Sequence, residues 1–244
     1  MAKAWITATL AAITVGLVPP PSVAQTGPPQ LPPMQSPNAE TTVYKPPVRG
    51  VPGGRVGGAT RGTVRPTIPL PTVDIIAPDG HSGLTTSDAP TLYFYVSRRV
   101  TYPTRLTISK PGQPTPVIET NIPSPQAAGI YAIRLGDYRV RLDPGVVYTC
   151  SVSVILNPSA PSRDIVASAS LLRTLPDSNL DVALRAAPAA RRAALLADAG
   201  LWYDAIAMAA DLNQHAALDA MMNEVGLVEP VRYDLQITGR TPSR

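Results

Sequence analysis

Thr91-Leu92-Tyr93-Phe94-Tyr95-Val96 is the stretch on which the fold turns. Aromatic and β-branched side chains fill it, and Asp88-Ala89-Pro90 precedes it as a turn, so it reads as a strand. Side chains alternate across a strand, which puts Leu92, Phe94 and Val96 on one face and Tyr93 and Tyr95 on the other. Either set can line a core. An outward Tyr93/Tyr95 stripe would offer a surface to a glycan or a peptide.

The same pattern continues on both sides. Residues 74–77, 105–109, 117–120, 129–135, 146–156 and 165–172 alternate or are rich in β-branched residues, and Pro, Gly, Asn and Asp turns separate them. About seven short strands at this spacing predict an antiparallel, immunoglobulin-like β-sandwich over residues 71–175. Cys150, the sole cysteine, falls in one of these strands on a face with Tyr148, Val152 and Val154, where it is expected as a buried thiol. A single cysteine closes no internal disulfide.

After Leu175-Pro176-Asp177 a period near 3.6 replaces the period of two, and alanine and leucine dominate. Pro188 suits a first helical turn, residues 189–199 follow as helix, and Gly200 stops them. A second helix over about 201–213 carries Leu201, Ala205, Met208 and Leu212 on one ridge and Trp202, Ile206 and Ala209 on the next. A short third helix over about 216–225 ends at Gly226. The chain is therefore expected to be mostly β with a C-terminal α segment, residues 176–230 forming a helical hairpin docked on the sandwich. Residues 231–244 are expected as a flexible tail.

The N-terminus has the three parts of a secretory signal over residues 1–24. Lys3 supplies positive charge, Trp5 to Val18 form an apolar run, and Ser22-Val23-Ala24 sets small residues before Gln25. Pro19-Pro20-Pro21 cuts the apolar run short of a membrane span, and no later run is long enough. A periodic pattern is absent from residues 25–70, where proline and glycine (29 and 17 in the chain) are denser than in the rest. That stretch is expected as a disordered linker. The expected location is periplasmic or secreted, without a transmembrane anchor after signal cleavage.

Charge and chemistry narrow the function classes. The formal charge of +4 comes from dispersed arginines, which argues against a nucleic-acid partner. Two histidines and one cysteine at remote positions point to no metal and no cofactor. The run Gly53-Gly54-Arg55-Val56-Gly57-Gly58 lacks the strand, the helix and the Gly-Lys-Ser/Thr of a phosphate loop. Asp198 and Asp204 lie six apart across a helix break, so acid chemistry with two carboxyls has no support from spacing. His215 and Tyr203 lie nearby in sequence, and adjacent His81 and Ser82 form no catalytic dyad. Trp202 and Tyr203 read as a core plug, with an interface role as the alternative. No catalytic residue is assigned. The binding candidates are Tyr93, Tyr95, Trp202, Tyr203 and Asp204.

The order of these pieces resembles the DUF928 family of uncharacterised proteins, best known from cyanobacteria. The glycine-rich stretch 53–61, the proline-led aromatic strand 89–96, and residues 142–158 with their Asn157-Pro158 turn are similar to its blocks. The most specific run is Ala199-Gly200-Leu201-Trp202-Tyr203-Asp204-Ala205, followed by Val225-Gly226-Leu227. The resemblance covers about residues 53–230 and implies export, with no activity or ligand to carry over. It also implies a tryptophan where Cys150 stands, a cysteine where Leu156 stands, and an early cysteine that this chain lacks. If the family's cysteines pair, this chain holds its glycine-rich start by packing alone.

Three functions follow in order: a non-enzymatic module contacting another envelope or secreted protein; a carbohydrate- or small-ligand-binding sandwich using Tyr93, Tyr95, Tyr131 or Tyr138; and a hydrolase. The reading also expects the core to survive deletion of residues 25–65.

Overall fold

The structure, a computed structural model, describes residues 42–47, 53–57, 69–227 and 230, all within one unit of the chain, Glu40–Arg244. The expected signal segment 1–24, the expected tail 231–244 and most of the expected linker lie outside the described residues.

Nine strands and four helices run through the described residues. The strands are β1 (Arg55–Val56), β2 (Val73–Ile75), β3 (Gly83–Thr85), β4 (Thr91–Val96), β5 (Thr104–Ser109), β6 (Ile118–Ile122), β7 (Gly129–Arg134), β8 (Val147–Val154) and β9 (Ile165–Arg173). The helices are α1 (Ser178–Ala186), α2 (Ala189–Asp198), α3 (Trp202–Asp211) and α4 (His215–Glu224). All seven strands expected from the alternation are present. The two unexpected ones, β1 and β3, span two and three residues and are too short to show a period.

The strands form two sheets. The larger has the order β1-β9-β8-β5-β6, with β3 also on β9; the smaller is β2-β4-β7. Every pairing is antiparallel except β3 with β9. The free edge of β9 is covered in two pieces: β1 lies along Ser168 and Ala169, β3 along Leu171 to Arg173. An open edge invites pairing with another chain, so this double cover protects the longest strand.

Alternation decides which face of the larger sheet is inside. Leu106 and Ile108 of β5, Tyr148, Cys150, Val152 and Val154 of β8, and Ile165, Ala167, Ala169 and Leu171 of β9 are buried. Cys150 thus sits on the face expected for it. Its thiol is pushed up to about 12 by burial, which makes it an inert packing group. The opposite face carries Thr107, Thr149, Ser151, Ser153 and Ser168, aligned in rows across β5, β8 and β9.

Strand β4 behaves differently, because Leu92 through Val96 are buried on both faces. An exposed Tyr93/Tyr95 stripe is therefore not what the chain builds. Asp211 at the end of α3 is one of two charges acting on Tyr93, the other being Arg134. The helices supply the cover that the alternation of β4 alone does not reveal.

The helical segment has one helix more than expected. Asp177 caps α1 by accepting from the N–H groups of Asn179 and Leu180, and Leu180 and Leu184, one turn apart, pack on the core. Gly200 and Gly226 take positive φ (74° each) and end α2 and α4 as the sequence predicts. Burial of Trp202, Tyr203 and Ile206 makes α3 the keystone helix; each such side chain contributes about 1.5–3 kcal/mol. One cluster of buried side chains unites both sheets, α2, α3, α4 and Tyr44.

Tyr44 corrects the linker expectation at that point. It is the only aromatic residue between 25 and 70, and only 1% of its surface is exposed, while Val43 and Lys45 on either side are exposed. The buried Tyr44 ring, its hydrogen bond to His81, the Tyr44 and Lys45 N–H bonds to Glu224 and Ala197, and the buried Thr42 together hold a six-residue strap that composition alone marks as unstructured. Among the described residues no helix is long and apolar enough to cross a membrane.

Candidate functional site

The sequence-selected residues Trp202, Tyr203 and Asp204 open α3, and each engages a different part of the molecule. Gly200 makes the sharp turn from α2. A side chain there would meet the Lys45 carbonyl at 3.0 Å, so the turn also lets the strap 42–47 lie close.

Trp202 is fully buried. Its indole Nε1–H donates to the Ile76 carbonyl (3.0 Å), and the Tyr44 ring meets it edge-on with centroids 4.9 Å apart. Tyr44 Oη and His81 Nε2 share a hydrogen bond of 2.8 Å, and the two rings lie within 6° of parallel. Glu224 of α4 accepts from the Tyr44 N–H (2.7 Å), and Ala197 of α2 accepts from the Lys45 N–H (3.1 Å). Burial, aided by the nearby Glu224 carboxylate, holds the Tyr44 phenol well above its ordinary range. Lys45 closes the strap with an ion pair to Asp198, which is mostly solvent-exposed and worth little by itself.

Tyr203 lies against β3. A Cβ on Gly83 would come within 2.5 Å of its ring, so only glycine admits the tyrosine there. Burial raises its phenol strongly. Asp204 completes the docking. Its carboxylate accepts from Thr85 Oγ1, from the Thr86 N–H (2.8 Å) and from Thr86 Oγ1 (2.7 Å). The Thr85 hydroxyl in turn accepts from the Ser87 N–H (3.1 Å).

The three sequence-selected residues on α3 therefore form one constellation turned toward β3, the Thr85–Thr86 turn, Ile76 and Tyr44. Tyr93 and Tyr95 lie inside as well, and the Tyr93 phenol is pushed up to about 12, chiefly by burial. Of the other tyrosines weighed for a glycan, Tyr131 and Tyr138 are half-buried. Tyr131 bonds back to the backbone of Ala127 and contacts the Phe94 ring, so the four build no exposed row. Asp198 and Asp204 are not brought together: one pairs with Lys45, the other with Thr85 and Thr86. Among the described residues no three His, Cys, Asp or Glu side chains gather as a metal-ligand set.

Sequence reading missed Tyr44, Thr85 and Thr86 as partners of this constellation. The hydroxyl-rich run Thr85-Thr86-Ser87-Asp88 was a usable signal, because such residues seek carboxylates and free N–H groups. It also missed a surface groove of about 460 Å³ formed by Asp181, Leu184 and Arg185 of α1, Arg192 of α2 and Met208 of α3. Among the large apolar side chains of the described residues, Leu175 (73% exposed) and Val182 (63%) are the most exposed.

The model of one protein family, described as Domain of Unknown Function (DUF928), matches residues 56–229. No curated protein and no solved structure matches the chain.

Proposed function

The chain belongs to the DUF928 family, and from that premise we propose an exported, non-enzymatic module that binds another envelope or secreted protein through its helical layer. The observation that carries this reading is α1: a capped helix of nine residues without one fully buried side chain. Its inner residues Leu180 and Leu184 only rest on the core, while Val182 and the preceding Leu175 face water. A helix this short is marginal in isolation, and Val182 on it, with Leu175 just before it, offers the apolar contact assigned here to a partner. Asp204, the acid weighed for hydrolysis, already has its carboxylate occupied by Thr85 and Thr86. We assign Trp202, Tyr203 and Asp204 to positioning the helical layer, and Leu175 and Val182 to touching the partner. The two sheets are read as an immunoglobulin-like sandwich whose smaller sheet keeps three strands, with the parallel β3/β9 pair as its departure from that pattern.

A photo-crosslinking side chain placed at Val182 in the native host, compared with one at Thr149 on the hydroxyl-bearing sheet face, tests the reading. A discrete protein adduct from position 182 alone supports it. Adducts from neither position, or only from 149, reject it. Cleavage after Ala24, read from the mass of the mature chain, tests export separately.

A further inference from the structure

Two arginines on successive helices line the groove described above, Arg185 near the end of α1 and Arg192 in the first turn of α2. Each is tethered through Nε: Arg185 donates to the Asp181 carbonyl (3.1 Å) and Arg192 to the Ala187 carbonyl (3.2 Å). Neither guanidinium has an ion-pair partner among the described residues. Tethering at Nε limits the conformations of each side chain and leaves its Nη groups for a planar anion, the geometry in which arginine holds a carboxylate best. Leu184 and Met208, both half-buried, give the same groove an apolar wall. Its volume lies in the range of small-ligand sites.

We propose that this groove binds a small anionic amphiphile, with a carboxylate head held by Arg185 and Arg192 and an apolar body laid over Leu184 and Met208. With two cations and one carboxylate in the lining, the net charge of the groove is +1, which favours an anionic head over a neutral or cationic one. The site is independent of the protein-contact reading, because neither Leu175 nor Val182 belongs to its lining.

The test uses the full chain titrated with octanoate, octanol and octyltrimethylammonium below their self-association concentrations, at about pH 8. Saturable octanoate binding is expected, with resonance shifts confined to α1, the start of α2 and the Met208 methyl. Octanol and the cation are expected to bind at least about tenfold more weakly, since they lack the charge-assisted bonds. Arg185→Gln and Arg192→Gln each weaken octanoate by about tenfold on the same basis, with an unchanged melting curve as the folding control. Asp181→Asn, which removes the one like charge from the lining, strengthens octanoate binding. Octanol binding as tightly as octanoate, shifts centred elsewhere, or octanoate affinity that survives both arginine substitutions would each overturn the proposal.

Discussion

If Asp204 docks α3 on β3, then Asp204 and Thr85 must depend on each other for stability. The Asp204 carboxylate takes three hydrogen bonds from Thr85 and Thr86, and Thr85 is fully shielded from solvent. In Asp204→Asn the charge behind all three bonds is lost, and one oxygen becomes an amide donor that faces the Thr86 N–H or forces the Thr85 hydroxyl to turn from donor to acceptor. A buried group left unsatisfied costs about 1–3 kcal/mol, and bonds to a charged acceptor are the stronger kind, so Asp204→Asn is expected to lose about 2–3 kcal/mol. Thr85→Val keeps the shape, removes one donor to Asp204 and strands the Ser87 N–H, for about 1–2 kcal/mol. The double variant is expected to lose less than the sum of the two, by about 1–2 kcal/mol, because the second substitution removes a bond already gone. Urea unfolding followed by far-ultraviolet circular dichroism measures all four proteins, with the denaturant slope as the check that the unfolded state is unchanged. Additive losses within about 0.3 kcal/mol, or an Asp204→Asn protein as stable as the parent, would refute the docking role and return Asp204 to the candidates for binding.

Other outcomes follow from the same contacts. Gly83→Ala should destabilise by about 1–3 kcal/mol, since the new methyl meets the Tyr203 ring at 2.5 Å, and Tyr203→Leu should relieve part of that loss in a melting comparison. Deleting residues 25–65 removes Tyr44 from beside Trp202, so the truncated chain should keep its β-rich spectrum yet lose about 3–5 kcal/mol, as for other large buried aromatics; an unchanged melting temperature would contradict this. Stability should fall as pH rises above about 9. Cys150, Tyr44, Tyr93 and Tyr203 are all held protonated by burial, the unfolded chain releases those protons first, and mass action then favours unfolding; urea midpoints between pH 8 and 11 measure it. In the native chain below pH 9, Cys150 should resist alkylation until unfolding.

Strands of five or more residues were legible in the sequence because alternation over that length repeats itself, as in Leu106-Thr107-Ile108 and Tyr148-Thr149-Cys150-Ser151-Val152. Gly200 and Gly226 marked helix ends equally well. What escaped notice depends on long-range partners. β3 is a strand because β9 lies beside it and Tyr203 above it, and neither neighbour is visible in Gly83-Leu84-Thr85. Tyr44 sits in a stretch whose composition reads as linker, and only its partners 37 and 158 residues away, His81 and Trp202, make it core. Helix α1 left a local signal in the Asp177 cap and the Leu180/Leu184 spacing that the sequence reading passed over. Trp202, Tyr203 and Asp204 stood out among the binding candidates, yet their residue types could not distinguish an inward constellation from a surface one.

That distinction is measurable at a single proton. The Trp202 indole N–H, bonded to the Ile76 carbonyl beneath the Tyr44 ring, should exchange with deuterium only when the domain opens, at a rate close to that of the slowest amides of β8. Exchange at the rate of a free indole would place Trp202 at the surface and contradict the account of α3 as the pin between helices and sheets.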